Sequence, residues 1–192
     1  MTPTESPDTG YSLSTYKVII VGEGGVGKTS LCIRATQNSF PASYRLTIGT
    51  GFFTCRLQLD ELKHRIALQI WDFGGQKQFA SILDAFTRNT TGAILTFDIS
   101  SISSFVSAQE HWLPFLKRTV AGVPVVLVST KDDLAAEVPK KEIETLLKNE
   151  RESNVLKFTK YIQTSAKTGK NVKECLLELA KSIVVQKRTT SL

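Results

Sequence analysis

Short apolar runs alternate along the chain with longer amphipathic stretches. Six runs are rich in β-branched or aromatic residues and are bounded by glycine or polar residues, which is typical of strands. Their ranges are 17–22, 52–60, 65–71, 92–99, 124–130 and 157–164. Amphipathic stretches between and after these runs predict helices at 28–38, 102–119, 139–150 and 171–187.

This order of elements predicts an α/β fold. The runs on either side of ELKH (61–64) indicate a hairpin, and strands separated by helices indicate parallel pairing. We therefore expect a mostly parallel six-stranded sheet with one antiparallel edge strand and helices on both faces. The domain is predicted to span 15–188, between a disordered arm at 1–14 and a short tail at 189–192. Ligands of such sheets bind at the carboxyl ends of the strands.

Composition excludes several classes of function. The net charge of +6 is spread among interleaved acids, which argues against a nucleic-acid-binding surface. The three cysteines, Cys32, Cys55 and Cys175, are far apart and without CxxC spacing, which predicts neither disulfides nor zinc and favours a reducing compartment, the cytoplasm. No stretch approaches the ~18 consecutive apolar residues of a membrane span, and no signal peptide is visible.

The first strand ends in a phosphate-binding motif. GEGGVGKTS (22–30) fits G-x-x-x-x-G-K-[ST] between a predicted strand and a predicted helix. Glycines allow successive N–H groups to point at a polyphosphate, and the helix N-terminus adds positive charge. Lys28 supplies a point charge for the phosphates, and the Thr29 hydroxyl is a candidate Mg²⁺ ligand. The predicted lining of this loop is Gly22, Gly24, Gly25, Val26, Gly27, Lys28, Thr29 and Ser30.

The strand at 65–71 ends in a second polar cluster. Asp72 is placed to hold a Mg²⁺-bound water, and Gly75 lets the backbone approach a terminal phosphate. Gln76 is a candidate to orient an attacking water. In the irregular loop after the first helix, Thr47 is a candidate second hydroxyl ligand of Mg²⁺.

The strand ends at 129–133 and 165–167 suit a guanine base. Guanine presents N1–H and N2–H₂ side by side, so that the carboxylate of Asp133 can accept both, whereas adenine offers no such pair. The stem of Lys131 can lie along the base plane. Ser165, Ala166 and Lys167 form a polar turn that can close over the base from the other side.

Together these motifs resemble those of the Ras superfamily of small GTPases, in order and spacing over residues 16–187. SYRLTIGTGF and IALQIWD look most like the Rab and Rab-like branch. The resemblance implies a P-loop NTPase fold and a cycle in which GTP and Mg²⁺ order the loops around Thr47 and Gly75 until hydrolysis releases them. It also implies that Phe40 stacks on the guanine, that Tyr44 covers the phosphates and that Gly24 leaves room for hydrolysis.

The resemblance further implies an enzyme whose catalytic residues are Gln76, Lys28 and Thr47. No arginine is plainly supplied within the chain, so hydrolysis is expected to be slow alone and to gain about 10³–10⁵ from an arginine of a partner. Effectors, exchange factors and activating proteins are expected to bind at 39–52 and 73–90. We expect a monomer in signalling or trafficking, cytoplasmic or held at a membrane by a partner.

Three features depart from the family pattern. Thr130 replaces the usual Asn of N-K-x-D, and because Thr is shorter, one or two of the contacts to the base and to the phosphate loop are expected to be lost or bridged by water. Gly74 replaces the usual Ala, so the segment after it is expected to be looser. Gly74-Gly75 is similar to the Arf-like and septation-network branches, and Thr130 also resembles the latter. The chain shows no prenylation or myristoylation signal.

Two other functions remain open. The chain could hold GTP or GDP with little or no hydrolysis, given Gly74 and the altered base contact. A P-loop nucleotide kinase would require an arginine-rich lid and an acceptor pocket, and the sequence shows neither.

Overall fold

One mostly parallel sheet organises the chain, whose structure is a computed structural model. It describes residues 4–5, 11–41, 47, 49–75 and 84–190. Within these residues the sheet has seven strands, of which the first has two residues. The strands are β1 Thr4–Glu5, β2 Ser12–Val21, β3 Thr50–Leu59, β4 His64–Phe73, β5 Gly92–Asp98, β6 Pro124–Thr130 and β7 Lys157–Gln163.

The strand order confirms the predicted fold class. Six strands follow the order β3-β4-β2-β5-β6-β7, and β1 pairs with the start of β2. Neighbours from β4 to β7 are parallel, and β3 runs antiparallel to β4 at the edge, in the predicted hairpin. A 3₁₀ turn at Asp60–Leu62 connects the two hairpin strands, and Lys63 follows it with a left-handed backbone.

Helices cover both faces of the sheet, as predicted. Their bounds are α1 Lys28–Gln37, α2 Ile102–Ser107, α3 Leu113–Thr119, α4 Lys140–Ser153 and α5 Val172–Thr190. Residues of β2 alternate between two cores: Ile19 and Val21 pack with α2, α3 and α4, whereas Val18 and Ile20 pack with α1 and α5. None of the helices in the described part of the chain has the length and apolar character of a membrane span.

A π turn interrupts the helix predicted at 102–119. It spans Ala108–Trp112 between α2 and α3, and the N–H of Leu113 donates to the carbonyl of Ala108, five residues back. Pro114 follows at the start of α3. Proline lacks an N–H and its ring collides with the carbonyl four residues earlier, so a widened turn just before it relieves both problems. The winding of this helix is therefore not uniform.

The amino-terminal prediction needs a correction. Strand β2 begins at Ser12, and Thr4–Glu5 pair with it, so these parts of the predicted disordered arm at 1–14 are in the sheet. Burial explains the misjudged boundary, since side chains at 12–16 alternate between exposed and half-buried, whereas those at 18–21 are fully buried. The amino-terminal half of β2 therefore lacks the continuous apolar run that marks the rest of the strand.

His64, the first residue of β4, makes stability depend on pH. The side chain is 4% exposed, neither ring nitrogen has a hydrogen-bond partner among the described residues, and burial, reinforced by Arg188, lowers the pKa of its imidazole. Unfolded histidine titrates near ~6.5, so the unfolded chain binds the proton first and the folded state loses stability as pH falls below that value.

We therefore expect His64→Phe to reduce the loss of stability between pH 7.5 and pH 5.5, measured by urea unfolding at both pH values. The same substitution at His111, on the π turn, controls for the general effect of removing an imidazole. An unchanged pH dependence in His64→Phe would contradict this reading of the buried ring.

Candidate functional site

The phosphate-loop motif adopts a conformation that glycine makes accessible. The loop leaves β2 at Gly22, where an added Cβ would collide with the backbone and hydroxyl of Thr96 on β5. Gly27 has φ +100° and caps the start of α1. Both positions lie in the part of backbone space that side-chain-bearing residues rarely adopt. The predicted loop is thus formed between β2 and α1, with the N-terminus of α1 at its end.

Lys28 is buried beneath this loop. It is 5% exposed, and its ammonium group donates to the carbonyls of Gly22 at 2.8 Å and Glu23 at 2.7 Å. Burial lowers the pKa of Lys28 to about 8, opposed by the nearby charge of Asp72. The side chain is thus held across the loop by backbone carbonyls, and an anionic ligand in the loop would restore favourable surroundings for its charge.

Three oxygen-bearing side chains predicted as metal ligands come together. The hydroxyl of Thr29 lies 2.5 Å from the hydroxyl of Thr47 and 2.5 Å from Oδ2 of Asp72. Asp72 is fully buried, and its Oδ1 has no partner among the described residues. Burial raises the pKa of Asp72, against the lowering effects of Thr29 and Lys28. Hard oxygen donors around an unpaired carboxylate oxygen fit Mg²⁺, which takes one or two carboxylates and hydroxyls and retains waters.

The segment after β4 packs closely on its neighbours. An added Cβ at Gly75 would strike the backbone of Glu23 and Gly24, so Gly75 lies directly against the phosphate loop. The N–H of Gly74 donates to the carbonyl of Gly49 at 2.9 Å, and a Cβ there would be 2.6 Å from the carbonyl of Thr47. The missing side chain of Gly74 allows this close approach. The rest of the segment predicted to be looser lies outside the described residues, so that expectation stays a prediction.

Two predicted site residues, Gln76 and Tyr44, lie outside the described residues, so their roles stay predictions. Phe40, predicted to stack on the base, is 46% exposed and lies at the edge of a cavity of about 140 Å³. The cavity brings together most of the predicted base-site residues with part of the phosphate loop. Its lining is Gly25, Gly27, Ser30, Leu31, Phe40, Thr130, Lys131, Asp133, Thr164, Ala166 and Lys167.

Asp133 is oriented by the turn that follows β7. The hydroxyl of Ser165 donates to Asp133 Oδ1 at 2.6 Å, and the ammonium of Lys167 lies 3.9 Å from Oδ2. Lys131 has a left-handed backbone with φ +58°, and its ammonium is 2.6 Å from Oδ2 of Asp98 at the end of β5. The carboxylate of Asp133 therefore enters the cavity with one oxygen already fixed.

These features agree with comparisons to known proteins. The sequence profile of the Ras family matches residues 17–185. The chain belongs to the Ras family. It is 34% identical over 174 residues to the Ras-related protein Rab-13 of Rattus norvegicus, covering 89% of this chain and 81% of the relative. It is 36% identical over 172 residues to Rab-13 of Canis lupus familiaris, with the same two shares. The chain is therefore a Rab-like small GTPase of the Ras superfamily.

The structure departs in part from the expectation for Thr130, which stands where the Ras family usually has Asn. The Thr130 hydroxyl, which is buried, forms a short hydrogen bond to the carbonyl of Val26 in the phosphate loop and also lies 3.0 Å from the carbonyl of Phe97. The tie to the phosphate loop is thus retained. A hydroxyl has one proton to donate, and these two carbonyls compete for it, so no donor remains for a base.

Several residues of the site were missed by sequence reasoning. Leu31 and Thr164 line the cavity, Asp98 holds Lys131, and Arg34 of α1 donates to the backbone of the turn at 165–167. An acid at a strand end was a usable signal for Asp98, since it follows a buried run as Asp72 does. Arg34 and Leu31 carry no local signal, because their roles depend on contacts between elements far apart in the chain.

We expect substitutions at Thr130 to change the rate of nucleotide release, because its hydroxyl bonds to the phosphate loop. Thr130→Val removes the donor and keeps the shape, so loss of one neutral hydrogen bond should speed GDP release by about tenfold. Thr130→Asn supplies two N–H donors, enough for the loop and the base, and should slow release.

Release of a fluorescent GDP analogue measures both effects. Thr159→Val, which removes a hydroxyl that donates to Val125 on the neighbouring strand, is the matched control. Equal release rates in Thr130→Val, Thr130→Asn and the unmodified protein would show that this hydroxyl does not affect nucleotide retention.

Proposed function

We propose that this protein is a GTP-binding molecular switch that hydrolyses GTP to GDP and phosphate. The observation that carries the proposal is a single edge of the sheet with a phosphate loop at one end and an oriented carboxylate, Asp133, in a cavity at the other. The first suits a polyphosphate and the second suits a guanine, whose two adjacent donors match one carboxylate.

The chain's own groups account for binding. Lys28 and the N–H groups at the start of α1 would balance phosphate charge, and Asp133 would accept the two donors of guanine. Thr29, Thr47 and Asp72 would hold Mg²⁺, the last through a water. When bound, this ion supplies charge neutralisation across the phosphates. Gln76 is proposed to orient the attacking water, with an arginine of an activating partner completing the site.

An aromatic cluster with one exposed member supports the proposed partner segments at 39–52 and 73–90. Phe52 is 63% exposed and packs edge-on against Trp71 with ring centroids 4.6 Å apart. The rings of Trp71 and Phe86, both half-buried, are tilted against each other with centroids 5.6 Å apart. An exposed aromatic side chain supported by two further rings is typical of protein interaction sites. We propose that effectors and regulators bind here, beside the loops that carry Thr47 and Gly75.

The cysteines of the protein bear on the compartment in which it acts. All three cysteines are free and buried, which favours a reducing compartment, the cytoplasm. We propose that the protein acts there as a monomer. It would serve signalling or trafficking, in keeping with its family.

Nucleotide binding is the first test. We expect the unmodified protein to prefer GDP over ADP by at least about 10³-fold, and Asp133→Ala to lose about 30- to 100-fold in GDP affinity, since a charge-assisted bond pair is removed. Chelation of Mg²⁺ with EDTA should speed GDP release. Isothermal titration and release of a fluorescent GDP analogue measure these quantities.

The neighbouring carboxylate is the matched control. Asp132 pairs with Lys170 and is absent from the cavity lining, so Asp132→Ala should retain guanine preference. Equal affinity for ATP and GTP in the unmodified protein would refute guanine recognition.

Hydrolysis is a separate test, because a module that binds nucleotide without turnover would pass the first one. We expect slow single-turnover conversion of bound GTP to GDP, reduced about tenfold or more in Gln76→Leu because the attacking water loses its orienting group. Gln78→Leu, two positions along, is the control. Absence of turnover even with partner extracts, with no effect of Gln76→Leu, would favour the non-hydrolysing module instead.

A further inference from the structure

Arg34 links helix α1 to the turn that carries the base site. Its Nε donates to the carbonyl of Ala166 at 2.7 Å, and its Nη2 donates to the carbonyl of Lys167 at 2.9 Å. Its Nη1 donates to the carbonyl of Asn38, the residue that caps α1, at 2.9 Å. A planar guanidinium with several donors in a fixed geometry can hold all three carbonyls at once, which the ammonium of lysine cannot do.

From the second of these carbonyls, hydrogen bonds continue to Asp133. The peptide between Lys167 and Thr168 is planar and trans, so its N–H points away from the carbonyl held by Arg34. That N–H, on Thr168, donates to the hydroxyl oxygen of Ser165 at 3.2 Å. The hydroxyl of Ser165 in turn donates to Oδ1 of Asp133 at 2.6 Å. Arg34 is thus connected to the carboxylate through one peptide and one hydroxyl.

The turn at 165–170 has backbone hydrogen bonds of its own, apart from those to Arg34. Its own backbone closes it, with the N–H of Ser165 on the carbonyl of Lys170 at 3.1 Å and the N–H of Gly169 on the carbonyl of Ser165 at 2.8 Å. Arg34 instead fixes where the turn lies relative to α1, the helix whose N-terminus completes the phosphate loop. The cavity is lined from both sides, by Ser30 and Leu31 of α1 and by Ala166 and Lys167 of the turn.

We propose that Arg34 is a positioning residue for the base-reading carboxylate, and that it sets guanine selectivity and nucleotide retention by holding the turn at 165–168 against α1. The inference rests on the proposed function, because it assumes that the cavity holds a guanine nucleotide. Arg34 acts through the Lys167–Thr168 peptide and Ser165, and it is absent from the cavity lining itself. Its bond to Asn38 also ties the base turn to the end of α1, two residues before Phe40.

A base that lacks one contact to Asp133 provides the test. Inosine diphosphate lacks the 2-amino group of guanine, so the ratio of GDP to IDP affinity reports how well the carboxylate meets that group. We expect Arg34→Ala to lower this ratio by at least about threefold, and to speed GDP release by about tenfold, because the carboxylate is less well oriented. Competition titrations against a fluorescent GDP analogue measure the ratio in each variant.

Two further variants separate positioning from folding. Arg34→Lys keeps the charge and most of the stem but cannot bridge the two carbonyls, so it should also lower the ratio, including where Arg34→Ala does not fold. Arg56→Ala, which removes an exposed arginine of β3, should leave the ratio unchanged. In a background of Ser165→Ala, adding Arg34→Ala should lower the ratio no further, because the two residues act in series.

Different experimental results would contradict this inference and the proposed function. Equal weakening of GDP and IDP in both Arg34 variants, with an unchanged ratio, would mean that Arg34 only supports the structure, and would overturn the inference alone. A lower ratio in Arg56→Ala, or a further loss in the double variant, would overturn it as well. An unmodified protein that binds no guanine nucleotide would overturn both.

Discussion

Parallel pairing of β4, β2, β5, β6 and β7 is the constraint on which the site depends. Strands that run in the same direction have their carboxyl ends at one edge of the sheet. The register decides which residues lie side by side there: Ile20 lies beside Asp72, and Asp98 lies beside Thr130. A phosphate-loop motif, a set of metal-suited oxygens and the carboxylate proposed to read the base therefore meet although they are far apart in the chain. A shift of one residue in any of these pairings would send the side chain at the strand end to the other face of the sheet.

The same edge concentrates buried charge. Lys28 and Asp72 are both removed from water, and burial shifts the pKa of each toward its neutral form, downward for Lys28 and upward for Asp72. The two charges stabilise each other only in part, so a phosphate and a divalent cation would add the missing partners. A ligand that binds the folded state in this way also stabilises it. Burial of these two charged groups thus lowers the stability of the unliganded protein and favours ligand binding.

The elements that are buried most fully were the easiest to predict from the sequence. Runs buried on both faces, such as the core of β2 and the whole of β6, were located because every side chain in them is apolar or ends the strand. The start of β2 was missed because its outer half alternates and is half-exposed, and the π turn was missed because the apolar spacing of 102–119 does not reveal the constraint that Pro114 imposes. The residues of the phosphate loop and of the base turn were found because each motif is contiguous.

The sequence by itself determined the fold class, the phosphate loop and the candidate base reader, because these depend on local spacing and on the continuous burial that a parallel sheet imposes. Only the tertiary structure decided that Thr130 keeps its tie to the phosphate loop, that Gly74 allows a close approach to the backbone of Thr47, and that Arg34 contacts the turn at 165–168. Each of these is a contact between groups 27 to 133 residues apart, from Thr47 with Gly74 to Arg34 with Lys167. Hydrogen-bond geometry at that separation is set by how the elements pack, and no local pattern of residues encodes it.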